Sequence, residues 1–270
     1  MTLIWLLDLL KDGPSAVLAI AALAAIGAVL FAYGAGRSFN AALAAVCAVL
    51  LVGMAVGNAV AMQSHHPILR VLRAKGEAEG VPLYESWNAF SRIRVDGDPN
   101  ATGDPFVLGL SPSYPGGSQV RQLSLTIDAT AGTVITGYDG DREDLEYLRY
   151  DVVNLAHYIR PNARVFIIGS GGGRDVLGAL SFNQPSVTAV EMNGAILEVV
   201  NGRYGEFTGH LDRQPGVTFV NDEARSYLAR SDERFDIIAL PFIDTWAATA
   251  AGAFALIENS LYTVEAWQNF

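Results

Sequence analysis

Apolar positions run along the chain in three different rhythms. Near the N-terminus they are continuous: Ser15 to Gly34 and Ala41 to Met62 hold no charged residue. Each run is long enough to cross the ~30 Å hydrocarbon layer of a bilayer as a helix. The short link AGRSFN between them makes a helical hairpin. From Gly80 to Gly140 the apolar segments become short and rich in β-branched and aromatic residues, as in VPLYESWNAFSRIRV, QVRQLSLTID and GTVITGY. Clusters such as DGDPNATGDP and SPSYPGGS separate them, which predicts a small antiparallel β unit with long hairpins. From Asp141 the rhythm changes again. DREDLEYLRYDVVNLAHYI has helical spacing, and then strand-like runs (RVFIIG, VTAVEM, VTFVND, FDIIAL) alternate with helix-like ones (RDVLGALSF, GAILEVVNGRYGEF, EARSYLAR). That alternation predicts parallel βαβ units in one sheet. The expected organisation is a membrane region over 1–75 with spans at about 15–34 and 41–62, a β unit over 80–140, and an α/β domain over 141–270.

Charge and composition sharpen the membrane reading. A cleaved signal peptide fits the first run poorly, because a basic n-region is missing and a second long run follows. Soluble cores seldom supply two adjacent uncharged runs of this length. Arg70, Arg73 and Lys75 follow the second run, whereas the link holds only Arg37. The positive-inside rule then places the C-terminal part in the cytoplasm, with the N-terminus and Lys11 on the same side. The protein is therefore expected to be a multi-pass membrane protein with the lipid bilayer as a partner. Gly53 and Gly57 form a GxxxG that allows close helix approach; ordinary packing is the favoured reading, and a homodimer stays open. His65 and His66 read as solvated loop residues rather than metal ligands. A net charge of -10 with no basic run argues against nucleic acid as a partner. The lone Cys47 excludes an intrachain disulfide and a cysteine-based zinc site, and no metal is expected.

Candidate chemistry gathers at three strand ends, where such sheets bind ligands. The first is VFIIGSGGGRDVLGAL, Val165 to Leu180, in which Gly169, Gly171, Gly172 and Gly173 would let backbone approach a ligand at a helix start. Asp175 either faces that ligand or caps its helix. The second is Glu191, with Met192 beside it, closing VTAVEM 22 residues after Gly169. A carboxylate here can accept both hydroxyls of a ribose. The third is Asn221 and Asp222, closing VTFVND, placed to meet an adenine amine; Asp222 is also a plausible N-cap for EARSYLAR. The glycines do not fit a dinucleotide fingerprint. Counted from Gly169 or from Gly171, the position that must be small is Arg174 or Val176. A nucleoside carrying a sulfonium brings no pyrophosphate, so acidic neighbours are acceptable.

These motifs, in this order, resemble the spermidine synthase family within the class I S-adenosylmethionine-binding fold. The resemblance runs from about residue 83 to the end, through YESWNAFSRIRV, LTIDATAGTVIT, DREDLEYLRYDVVNLAHY, the glycine stretch, VTAVEM, VTFVNDEARSYL, FDIIALPFIDTW and LIENSLYTVEAW. It looks most like the membrane-attached, spermidine synthase-like branch. The resemblance implies a Rossmann-like, methyltransferase-type parallel sheet, C-terminally incomplete in this chain. It implies that the glycine loop wraps the methionine-derived part of decarboxylated S-adenosylmethionine as co-substrate, that Glu191 takes the ribose and that Asp222 reads the adenine. The loop after FDIIAL would face an amine acceptor. There the chain departs from the family's D-S-S-D-P: Pro241 stands at the first acidic position and only Asp244 matches the second. Its glycine loop also runs one residue longer than G-G-G-D-G-G, and Tyr147 and Tyr150 lie near a family tyrosine without aligning to it.

Aminopropyl transfer needs a carboxylate to hold a cationic amine and receive its proton. One carboxylate where two are expected admits other readings. The leading expectation is a membrane-anchored transferase that uses decarboxylated S-adenosylmethionine, with Asp244 as its catalytic residue. The alternatives are an S-adenosylmethionine-dependent methyltransferase, a non-catalytic nucleoside-binding module and, on the fingerprint mismatch least favoured, an NAD(P)-binding domain.

Overall fold

A computed structural model describes residues 2–64, 66–129, 131–240 and 260–270. His65, Pro241 and Asp244 lie outside the described residues. The chain divides into two compact units, Met1–Arg94 and Val95–Phe270.

The first unit opens with α1 (Thr2–Leu10), followed by α2 (Gly13–Gly34) and α3 (Ser38–Gln63). The second and third helices are long and apolar enough to cross a membrane, and only 17% of each one's most apolar window is buried. A core helix of a soluble protein would bury most of its surface. The two meet along small residues: Ala41, Ala48 and Ala55 of α3 repeat every seventh position and are buried, as are Ala16 and Ala22 of α2. A side chain added at Gly53 or Gly57 would meet nothing within 4 Å, so the GxxxG lies outside the α2–α3 contact.

Polar residues lock one end of this hairpin. Asp12 is the N-cap of α2, and its Oδ2 accepts the Ser15 N–H (2.9 Å) and the Asn58 Nδ2–H (2.8 Å). Asn58 Oδ1 accepts the Leu69 N–H at 2.6 Å. Asp12, Ser15 and Asn58 are all at most 2% exposed. Asn58→Ala would strand a buried carboxylate and a buried amide together. The expected loss is about 2–4 kcal/mol of hairpin stability, read by dodecyl sulfate titration of the protein in mixed micelles, with Asn58→Asp equally poor.

The rest of the unit comprises the short pair β1 (Arg73–Ala74) and β2 (Glu77–Ala78), then β3 (Tyr84–Trp87) and β4 (Arg92–Asp96), which runs into the second unit. The Arg92 guanidinium pairs with Glu79 (2.7 Å) and Glu85 (3.0 Å), and Arg94 pairs with Glu79 (3.0 Å), so two buried cations meet two carboxylates.

In the second unit β5 (Thr102–Gly103) and β7 (Ala131–Thr136) both pair antiparallel with β6 (Val120–Ile127). The expected antiparallel β segments are therefore present. The four expected parallel strands are β8 (Arg164–Ile168), β9 (Ser186–Glu191), β10 (Val217–Asn221) and β11 (Ile237–Ala239), in the order β10-β9-β8-β11. The chain steps from β8 outward to β10 and then returns to the other side of β8. Such a reversal is where open α/β sheets hold ligands. Strand alternation sends Phe166 and Ile168 to one face. There they pack with Val190 and with Tyr227 and Leu228 of the helix α8 (Ala224–Arg230), joined by Leu261 and Phe270.

Two helical expectations need correction. Residues 141–159 carry one helical period but do not form one helix. They form 3-10 turns over Glu143–Tyr150 and Val152–Asn154 and then α4 (Leu155–Ile159). Asp151 breaks the run with an extended backbone (φ -82, ψ 126). Its buried carboxylate accepts the N–H groups of Leu108 (3.0 Å) and Gly109 (3.1 Å), some forty residues away. Those tertiary bonds outweigh the local propensity. Likewise GAILEVVNGRYGEF splits into α6 (Gly194–Leu197), a π turn over Glu198–Arg203 and α7 (Gly205–Thr208). Thr208 Oγ1 donates within this stretch to the carbonyls of Val200 and Gly205, each at 3.1 Å.

Candidate functional site

The glycine loop leaves β8 and enters α5 (Arg174–Ser181), and its glycines do different work. Gly169, Gly171 and Gly173 have positive φ of 74°, 48° and 86°, a region that suits glycine. Gly172 is needed for another reason: a Cβ there would stand 2.0 Å from the Val134 carbonyl oxygen of β7. A Cβ on Gly171 would touch only Thr133 Cγ2, at 3.5 Å. The loop is thus pressed against β7 at Gly172 and loosely covered at Gly171.

Glu191 reaches this loop from the end of β9. Its Oε2 accepts the Gly171 N–H (3.2 Å), and its Oε1 accepts the Asn193 N–H (2.9 Å). The side chain is 9% exposed, and burial raises its pKa above the usual carboxylate range against the pull of these backbone donors. A carboxylate offers about four acceptor positions. The Met192 N–H adds a third backbone donor, so one of these positions remains for a ligand hydroxyl. Met192 beside it is 51% exposed, an apolar surface at the same strand end. An acceptor oxygen next to an exposed thioether can meet a hydroxyl and an apolar ring face at the same strand end.

The remaining expected residues are already engaged. Asn221 lies in register with Glu191, and its Nδ2 donates to the Glu191 carbonyl (2.8 Å) and the Met192 carbonyl (3.1 Å). That amide braces β10 to β9. Asp222 Oδ1 accepts the Glu223 N–H at 2.8 Å, and its Oδ2 forms an ion pair with Arg230 at the far end of α8. Asp222 is not the N-cap. Glu223 is, accepting from Arg225 N–H (2.9 Å) and Ser226 N–H (2.8 Å). The reason is one of reach: Glu223 is the residue whose backbone is extended before the helix (φ -83, ψ 123). The Arg230–Asp222 pair is partly solvent-exposed. Arg230→Ala is expected to change the unfolding free energy by less than about 1 kcal/mol, measured by urea unfolding.

Asp175 does not cap α5. The N-cap is Gly173, without a side-chain bond, and Asp175 instead accepts from Arg174 Nη2 at 3.0 Å. Burial pushes the Asp175 pKa up against the attraction of Arg174. Arg174 also stands 3.9 Å from Asp151 Oδ2. The small residue that lets α5 pack closely is Gly178, where a Cβ would come 2.6 Å from Asn154 Oδ1. Tyr147 is fully buried, with its phenol pushed up to about 12 by burial. Tyr150 is half-buried against Tyr114, with ring centroids 5.3 Å apart.

Three residues that shape the site were not picked out by motif: Asp151, Asn193 and Arg230. Asn193 carried a local signal, since Asn before Gly-Ala-Ile-Leu reads as an N-cap, and it does accept from Ala195 N–H at 3.2 Å. The other two act over distances that no local pattern records. Among the described residues no group of three His, Cys, Asp or Glu side chains is placed to hold a metal ion.

No protein-family profile matches the chain. Among solved structures, the chain is similar to a spermidine synthase in complex with the transition state analogue AdoDATO, at 18% identity and a TM-score of 0.37, covering 63% of this chain and 56% of that one. It is also similar to spermidine synthase from Thermotoga maritima, at 18% identity and a TM-score of 0.42, covering 75% of this chain and 62% of that one. The chain thus spans 56% and 62% of the length of these two proteins.

Proposed function

We propose that the chain is a membrane-anchored transferase that binds an S-adenosylmethionine-type nucleoside at the ends of β8, β9 and β10. The observation that carries this reading is the Glu191 carboxylate, held against the glycine loop by the Gly171 N–H at 3.2 Å. Glu191 accepts a ribose hydroxyl, Met192 lies along the base, and the loop at Gly169 to Gly173 faces the methionine-derived chain. The hairpin α2–α3 spans the bilayer, with its locked Asp12–Asn58 end on the cytoplasmic side. That orientation follows from the basic residues after α3.

Aminopropyl transfer to an amine is the favoured reaction. The amine nitrogen forms a bond to the carbon next to the sulfonium, the carbon–sulfur bond breaks, and its electron pair neutralises the sulfur as a thioether. The proton lost by the amine goes to a carboxylate, for which Asp244 is the candidate. Calorimetric titration of the full chain in detergent tests the donor. Tighter binding of decarboxylated S-adenosylmethionine than of the carboxylated form is expected; the reverse order assigns methyl transfer. Product assays with a panel of amines test the catalytic role. Turnover lost in Asp244→Asn, with nucleoside binding retained, is expected. Turnover in neither protein sinks the enzyme reading and leaves a binding module.

A further inference from the structure

We propose that α1 and the segment following α3 form a belt that lies in the membrane–water interface, with the bilayer itself as its occupant. The proposal rests on the membrane-spanning reading of α2 and α3. It adds a surface that the two spans alone do not require.

Four observations carry it. The first is exposure: α1 presents Leu3, Ile4, Trp5 and Leu9 to the outside, with Trp5 62% exposed, and the segment after α3 presents Ile68 (74%) and Leu72 (61%). Large apolar side chains gathered in this number on one unit mark a surface with an apolar neighbour. The second is direction. Lys11, between α1 and α2, has a left-handed backbone (φ 52), so α1 turns away from the axis of α2 instead of prolonging it. The third is level. Asp12 at the start of α2 and Asn58 near the end of α3 are hydrogen-bonded, and Asn58 Oδ1 holds the Leu69 N–H at 2.6 Å. Both apolar segments therefore leave the hairpin at the same end. The fourth is anchoring. Asp8 Oδ1 accepts the Ala89 N–H (3.0 Å), the Lys11 carbonyl accepts the Trp87 N–H (3.0 Å), and Leu6 is buried. Both helix and turn are held in place, so the exposed apolar side chains of α1 keep their outward positions.

Residues at the start of one span and the end of the other sit at the depth of the headgroups. An apolar helix turned aside there, with a tryptophan and nearby Arg73 and Lys75, matches the chemistry of an interfacial element. The exposed apolar residues of α1 directly precede, and those after α3 directly follow, helices whose own outward side chains are apolar, which favours the bilayer over a protein partner.

The test places a thiol-reactive NBD dye on the full chain in a Cys47→Ala background. It is attached at Trp5→Cys, at Ile68→Cys and, as a depth reference, at Val49→Cys in the middle of α3. The protein is reconstituted into phosphatidylcholine vesicles carrying a doxyl quencher either near the headgroup or deep in the chain. The expected result is blue-shifted emission at 5 and 68 with stronger quenching from the shallow doxyl, and stronger quenching from the deep doxyl at 49. Quenching at 5 and 68 by aqueous iodide alone, with 49 still deep, overturns the belt and leaves the spans standing. Iodide quenching at all three positions overturns the spans. Dyes at 5 and 68 shielded from lipid and iodide alike show that protein covers the belt, which also overturns the proposal.

Discussion

Replacing Glu191 with glutamine is expected to weaken nucleoside binding by about 10- to 100-fold, the worth of roughly 1.5–3 kcal/mol for hydrogen bonds to an ionised acceptor. The amide also offers one acceptor where the carboxylate offers two, so the Gly171 and Asn193 N–H groups can no longer both be satisfied. The pH dependence separates the two effects. Burial raises the Glu191 pKa, which means the folded protein without ligand prefers the neutral acid. Its contribution to stability is therefore greatest at low pH and declines as pH rises from the unfolded value through the raised folded one. Binding runs the other way. Ribose hydroxyls donate to the ionised form, so affinity rises with pH across the same window, which lies above the ordinary carboxylate range. Calorimetric titration of wild type against Glu191→Gln at several pH values checks the affinity, and urea unfolding over the same range checks the stability. A rising affinity in wild type and a flat one in the variant is the expected pair; equal profiles would remove Glu191 from the site.

Gly172→Ala is expected to cost more stability than any other single methyl added to the loop. The new carbon would lie 2.0 Å from the Val134 carbonyl oxygen and 2.7 Å from its carbon, both backbone atoms of β7 that no rotamer can move. Relief requires shifting either the loop or the strand. Overpacking of this kind costs roughly 1–3 kcal/mol where side chains can yield, and a backbone clash belongs at or beyond the upper end. Gly171→Ala is the matched control. There the Cβ makes an ordinary 3.5 Å contact, and the expected cost is the left-handed backbone alone, about 1–2 kcal/mol. Urea unfolding of the two variants should place Gly172→Ala clearly lower. Nucleoside affinity should fall with it, because the same displacement moves the Gly171 N–H off Glu191.

The two glycines look alike in SGGGR, and this shows where sequence reading stops. The strand runs, the two apolar helices and the antiparallel hairpins were legible because each is written in a local period: two for a half-buried strand, continuous for a span, alternating strand and helix for a parallel sheet. The strand-end positions of Glu191 and Asp222 were legible for the same reason. The partners were not. That Asn221 spends its amide on two carbonyls, that Arg230 claims Asp222 and that Glu223 takes the cap follow from geometry around the β10–α8 turn. The mistaken single helix over 141–159 has a plain cause. Its period is genuine, but Asp151 gains two backbone donors from Leu108 and Gly109 by leaving the helical conformation.

The sequence by itself determined the order of the elements, the hairpin of apolar helices and the place of the glycine loop at the end of a buried strand, since burial in each case repeats at intervals the chain itself displays. Tertiary structure alone decided which glycine is pressed against β7, which carboxylate remains partly available at the strand ends, and how Asp12, Asn58 and Leu69 close one end of the hairpin. Those contacts join residues tens of positions apart. Their energies depend on distances of a few tenths of an ångström, and no period along the chain encodes them.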